Sequence, residues 1–167
     1  IDPEKIINDY GADAARFFIL SDSPPEKDVQ WSDEGIIASY KFIQKLWNLN
    51  FRILDAIKSS SDNENDNELD KITNKFINDV TNNLINFSYN KIIANFHEIY
   101  SQLTKLIKNT SSKKSIINNY GKILIVMMPV LPHFSSESLK LINYNSEIEW
   151  PDINKELLKD KIISYVI

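Results

Sequence analysis

From Ser32 to Lys58 the apolar residues recur at steps of three and four, and no other feature restricts the fold as tightly. Ile36, Tyr40, Ile43, Trp47, Phe51 and Leu54 form one such series, and Phe42, Leu46, Leu49, Ile53 and Ile57 form a second. Each series lies along one stripe of an α-helix, whereas a strand would need strict alternation. Two apolar stripes on one helix predict that it is wedged between neighbours, as in a helical bundle. Ser32 followed by Asp33 and Glu34 opens this helix. The serine caps free backbone N–H groups and the two acids complement the positive end of the dipole.

The same periodicity returns downstream. Leu69, Ile72, Phe76, Val80, Leu84 and Phe87 give one stripe, and Ile92, Phe96, Ile99, Leu103 and Leu106 the next, with a boundary near Ser88. Ile116, Tyr120, Ile123, Leu124 and Met127 predict a further helix ended by Pro129 and Pro132, and Phe134, Leu139 and Ile142 a shorter last one. Upstream, Asp2-Pro3-Glu4 starts a short helix that Gly11 stops, and a second covers Ala12 to Leu20. Ser23-Pro24-Pro25-Glu26 forbids regular helix, and the acidic, Asn-rich stretch Ser59 to Asn67 reads as a surface loop. Beyond Asn143 the chain is expected to be extended, ending in a β-like tail from Ile162 to Ile167. With only three glycines, Gly-rich phosphate loops and hairpin-rich β architecture are disfavoured. The predicted class is all-α.

Chemistry is sparse. The absence of cysteine removes disulfides and thiolate nucleophiles, and makes a reducing, cytoplasmic setting the expected one. No apolar run is long enough to span a bilayer; Ile123 to Leu131 is the longest. A start at Ile1 without Met, basic n-region or apolar h-region reads as a cut inside a longer protein. His97 and His133 have no Ser, Cys or carboxylate at a spacing that builds a triad or a metal site, so no catalytic or metal-ligating residue is assigned. His133, at a helix start, is expected to cap backbone N–H groups, and His97 to lie at the surface or partly packed. The net charge of −4 does not advertise a nucleic-acid binder, although a local basic stripe can act against an acidic total.

Such a stripe exists. In the long helix Lys41, Lys45, Asn48 and Arg52 fill the strip between the two apolar series, with three positive charges and no acid among them. Such a ridge can track phosphates without reading sequence, or serve merely as a solvated face. Lys105, Lys108, Lys113 and Lys114 cluster around the turn after the third long helix and are further candidates. No interleaving of aromatic and basic residues points to base stacking, so backbone contact is the expected mode. Asp13 and Arg16, three apart, are placed to pair on one helical face, and Trp31 to plug the seam between the N-terminal module and the bundle.

The segment Asp2-Pro3-Glu4 through Tyr10-Gly11-Ala12-Asp13-Ala14-Ala15-Arg16 resembles the one that follows the ATP-loop signature in class I aminoacyl-tRNA synthetases. Pro24-Pro25-Glu26 followed by Trp31-Ser32-Asp33 is similar to the bacterial-type leucyl-tRNA synthetase branch. Phe87-Ser88-Tyr89-Asn90, Met128-Pro129-Val130-Leu131-Pro132-His133-Phe134 and Trp150-Pro151 keep the same order. The resemblance implies a linker module over residues 1–32 that joins an absent catalytic domain, and a class Ia anticodon-binding helical bundle with an extended tail over 33–167. It further implies contact with the stem backbone of tRNA(Leu) through Lys41, Lys45, Arg52, Lys105 and Lys108, and a brace toward the catalytic domain made by Asp13, Arg16 and Trp31. The chain's own catalytic and C-terminal domains would be partners; ATP and leucine activation would belong to the absent catalytic domain, leaving no cofactor here. A helical protein-interaction bundle without RNA affinity, and a valyl or methionyl sibling, stand as alternatives.

Overall fold

Asp2 accepts a hydrogen bond from the Glu4 amide at 3.0 Å, Pro3 occupies the first turn, and helix α1 (Pro3–Tyr10) ends at Gly11, whose φ of +87° favours glycine. Helix α2 (Ala12–Asp22) follows at once. Ser32 caps the Gly35 amide at 3.1 Å and begins the long α3 (Asp33–Ser59). Then come α4 (Asn67–Ile85), α5 (Tyr89–Leu106), α6 (Lys113–Met127), α7 (Pro132–Leu141) and a 3₁₀ turn at Lys155–Leu158. This computed structural model describes residues 2–22, 28–61, 67–109 and 112–159. The Pro-Pro-Glu loop, most of the acidic loop and the β-like tail fall outside the described residues. Among those described there is no strand, only an isolated parallel bridge between Ser61 and Ser112. The chain is all-α.

Helix α4 packs against α5 and α6, and α6 in turn against α3 and α7. Helix α6 is central: Ile123 through Met127 are buried without a break, which explains a greasy run in so short a helix. Phe42, Leu46, Leu49 and Ile53 of α3 join Phe76, Phe96, Ile99, Leu103 and Ile116 in the main core. A smaller cluster of Ala14, Phe18 and Ile36, flanked by Tyr10, Trp31 and Tyr40, fastens α1 and α2 to the start of α3. Phe17 reaches past it into the main core, so the N-terminal module shares the bundle's interior. The tail is pinned along α4: Trp150 donates its indole N–H to Thr81, and Asn154 and Asn74 exchange two hydrogen bonds of 2.7 Å.

One of the two apolar stripes of α3 is wedged between neighbours along its length, and the other only in part. The Phe42–Leu46–Leu49–Ile53 stripe is buried. In the other, Ile36 is buried and Tyr40, Ile43 and Leu54 pack against the two cores, but Trp47 remains 37 % and Phe51 50 % exposed. The physical reason is length: α1, α2 and the ten-residue α7 do not cover the whole flank of a 27-residue helix. Through the core runs a polar link with no periodic signature. The Tyr120 hydroxyl donates to Asn50 Oδ1 at 2.6 Å, and Asn50 Nδ2 donates to Ser138 at 2.8 Å, tying α3, α6 and α7. Burial pushes the Tyr120 phenol well above its ordinary range.

Candidate nucleic-acid interface

Helices α3 and α5 meet through a few side-chain contacts. Phe42 meets His97 and Tyr100 of α5, and two to three turns later Arg52 meets Thr104. Lys41, Lys45 and Asn48 stand exposed on the α3 side; Lys105 stands exposed in the last turn of α5 and Lys108 in the turn that follows it. Among the described residues none of these lysines is held in an ion pair. Between Lys41 and Arg52 the helix carries no acid, and the acid of α5, Glu98, is turned toward Lys75 and Gln102. The result is one lysine-bearing face built from two helices, which the α3 sequence alone showed only in half.

Arg52 departs from the expected ridge. It is half-buried, and its guanidinium donates to the Thr104 carbonyl at 2.9 Å, so part of its donor fork ties α3 to α5. A residue at the ridge's inner edge finds an unsatisfied carbonyl near the end of α5 closer than solvent. Lys113 and Lys114, at the start of α6, line a separate recess with Asp70 and Tyr144. His97 lies exposed at the surface of α5, its ring against Phe42 at 3.9 Å and edge-on to Phe17 at 5.8 Å. Partial burial, and then the charge of Lys45, lower its pKa below the ordinary 6.5.

The residues expected to form a brace make one inside the chain. Asp13, nearly fully buried, bonds Arg16 at 3.1 Å and the His133 ring at 3.0 Å through one oxygen. Through the other it accepts the Phe134 amide at 2.8 Å. Asp13 of α2 is therefore the cap of α7, the task expected of His133; the imidazole instead steadies the capping carboxylate. An anionic oxygen satisfies a helix-start N–H better than a ring nitrogen that must share its proton. Trp31 packs edge-on against Phe18 and donates its indole N–H to Asp33 at 2.7 Å, across the junction of linker and α3.

Beside the lysine ridge lies a recess of about 710 Å³ between the α1–α2 corner, α3 and α7. Trp47 stands on its wall, with Phe51 and Phe134 edge-on to it at 6.3 and 6.5 Å. Exposed aromatics thus do interleave with basic residues on α3, contrary to the sequence expectation. The pattern was hidden because Trp47 and Phe51 share helical spacing with core residues, and periodicity says nothing about which stripe a neighbour covers. No helix of the described residues is long and apolar enough to cross a membrane.

Comparison with known proteins agrees with this architecture. A family model described as the anticodon-binding domain of tRNA ligase matches residues 66–167. Leucine–tRNA ligase of Fervidobacterium nodosum is 33 % identical over 179 residues, covering all of this chain and 22 % of that protein. The enzyme of Orientia tsutsugamushi is 36 % identical over 165 residues, covering 96 % of the chain and 19 % of the relative. The chain thus spans about a fifth of the length of the curated relatives it matches. The crystal structure of the ternary complex of Agrobacterium radiobacter K84 agnB2 LeuRS-tRNA-LeuAMS superposes with a TM-score of 0.83 at 26 % identity, over 95 % of this chain and 22 % of that one. With the family model matching residues 66–167 and a leucine–tRNA ligase aligned along the whole chain, the chain belongs to the anticodon-binding domain family of tRNA ligases and is homologous to leucine–tRNA ligases.

Proposed function

We propose that the chain holds tRNA(Leu) by its stem backbone and positions it for a leucine–tRNA ligase whose ATP-dependent chemistry is carried by a separate catalytic domain. The observation that carries this reading is the α3–α5 face, where Lys41, Lys45, Lys105 and Lys108 are exposed and free of acid partners. Flexible ammonium groups along one face suit phosphates, which position a nucleic acid without specifying its sequence. Residues 1–32 act as the linker to the catalytic domain, and the Asp13–Arg16–His133 cluster with Trp31 keeps that linker rigid against the bundle. Residues 33–167 form the RNA-holding bundle, and the setting of translation makes the cytoplasm its place of work.

Titration of labelled tRNA against the chain at low and moderate salt tests the reading. Binding in the range of about 1–100 µM that weakens with salt is expected, as for sequence-independent phosphate contact. Lys41→Glu/Lys45→Glu/Lys105→Glu should weaken it and flatten the salt slope by about one per lysine. Equal binding by wild type and the triple variant rejects the face. A protein-interaction role is favoured by the strongly exposed Ile85 and Phe87 at the α4–α5 corner; it predicts no salt-sensitive RNA binding in the same titration.

A further inference from the structure

We propose that the α4–α5 corner is a knob by which the bundle docks into an apolar socket on the catalytic domain of the same polypeptide. The proposal rests on the reading of this chain as the tRNA-holding part of a leucine–tRNA ligase, and adds a second attachment beside the linker.

Helix α4 closes through two backbone hydrogen bonds that turn the chain sharply. The Ser88 amide donates to the Asn83 carbonyl at 2.8 Å, and the Phe87 amide to the Leu84 carbonyl at 3.1 Å. In this paired closure the residue just past the helix takes a left-handed conformation, a position that favours glycine. Phe87 occupies it at φ +54°, whereas Gly11 and Asn143, the other described residues with positive φ, are types that adopt it readily. The ring gains little burial in return. Phe87 is 62 % exposed and touches Tyr89 edge-on at 6.1 Å, and Ile85 beside it is 69 % exposed. No other large apolar side chain among the described residues is as exposed as these two. A strained aromatic held outward, where glycine would be more stable, points to a contact beyond the chain.

Three observations identify what covers the corner. Residues 80–90 carry no charged side chain, so neither a run of phosphates nor a charged peptide is matched there, and an uncharged apolar surface is. Two side chains and their rim fall far short of the roughly 1,200 Å² that specific interfaces between separate chains bury, which sets aside a second copy and a free partner. A tethered domain needs less area, because its tether supplies an effective concentration in the millimolar range. The corner also lies at the tethered end of the bundle. Phe42 of α3 meets His97 and Tyr100 of α5, and Arg52 further along α3 meets Thr104 further along α5, so the two helices run the same way. Tyr89 begins α5 about 12 Å before His97, level with the start of α3, where Trp31 and Phe18 join the linker to the bundle.

The test places Phe87→Gly in this chain and in the full-length ligase that carries it. In the chain alone the variant should raise the thermal unfolding midpoint by about 2–4 °C, because glycine relieves the left-handed backbone. Its tRNA titration should stay within about twofold of wild type. In the full-length ligase the same change should slow leucylation of tRNA about tenfold, through misplacement of the bundle. Leucine-dependent ATP–pyrophosphate exchange should be unaffected. Phe87→Leu, which keeps an apolar knob, should retain most of the leucylation rate. Amides of residues 86–92 should exchange hydrogen more slowly in the full-length ligase than in the chain. Should the full-length Phe87→Gly protein fail to fold, Ile85→Ser, at an exposed position, takes its place with the same expectation for leucylation. A midpoint that fails to rise, leucylation untouched by the variant, or equal exchange in the two proteins overturns the docking and leaves the tRNA-holding reading standing. A full-length protein that charges no tRNA with leucine overturns that reading itself.

Discussion

Asp13 serves three partners with one carboxylate, and two of them lie on an element 120 residues away. Its removal exposes the start of α7 and loosens the linker together, because the same oxygens carry both tasks. Asp13→Ala is expected to lower stability by about 1–3 kcal/mol, the range for a lost cap and a buried unsatisfied amide, as measured by urea unfolding. Asp13→Asn, which still offers one oxygen to the Phe134 amide, should lose less. His97 gives a second test through pH. Burial lowers its folded pKa below the ordinary 6.5, so on acidification the unfolded chain takes up that proton first. Its contribution to stability is therefore full above about pH 6.5 and is lost as pH falls through the depressed value. Comparing unfolding at about pH 5 and about pH 7.5, His97→Gln should flatten that part of the profile; an unchanged slope would remove His97 as its source.

At the scale of elements, helix starts and ends follow local chemistry, whereas the seams between helices depend on single close approaches. Gly35 is one. A Cβ there would stand 2.5 Å from a ring carbon of Phe18, which is itself buried and packed edge-on to Trp31. Gly35→Ala gains up to about 1 kcal/mol of helix propensity, but the overpacking, at about 1–3 kcal/mol, outweighs it. The variant should be less stable, and its Trp31 fluorescence should shift as Phe18 is displaced. The Asn50–Tyr120–Ser138 link is the other such seam. Tyr120→Phe leaves Asn50 Oδ1 buried without its donor, and is expected to cost about 1–3 kcal/mol in the same unfolding measurement. A cost near zero would mean that water or a neighbouring group takes over.

For the whole molecule, an acidic total and a cationic face coexist because no acid stands between Lys41 and Arg52 on α3 and the one acid of α5, Glu98, is turned to Lys75 and Gln102. Placement, not net charge, then decides RNA contact. This separates the lysines into two groups by location. Lys113→Glu/Lys114→Glu, at the separate recess beside Asp70, should leave tRNA affinity within about twofold and the salt slope unchanged, whereas reversal on the α3–α5 face reduces both. An equal effect from the two sets, read in the same salt titration, would mean that affinity follows overall charge instead of the α3–α5 face.

The amino-acid order by itself determined the helices, the caps of α1 and α3, the all-α class and the family, because local capping residues, prolines and three-to-four spacing act over one or two turns and are written locally. Ser32 before Asp33, Asp2 before Pro3 and the Asp13–Arg16 pair were all legible on those grounds. Only the tertiary structure decided which stripe of α3 would be covered, that Arg52 would turn to the Thr104 carbonyl, that Asp13 and not His133 would cap α7, and that Trp47 would stand beside a recess. Each depends on where a second helix ends in space. That position is set by the packing of the entire core and leaves no signature in the spacing of any one segment.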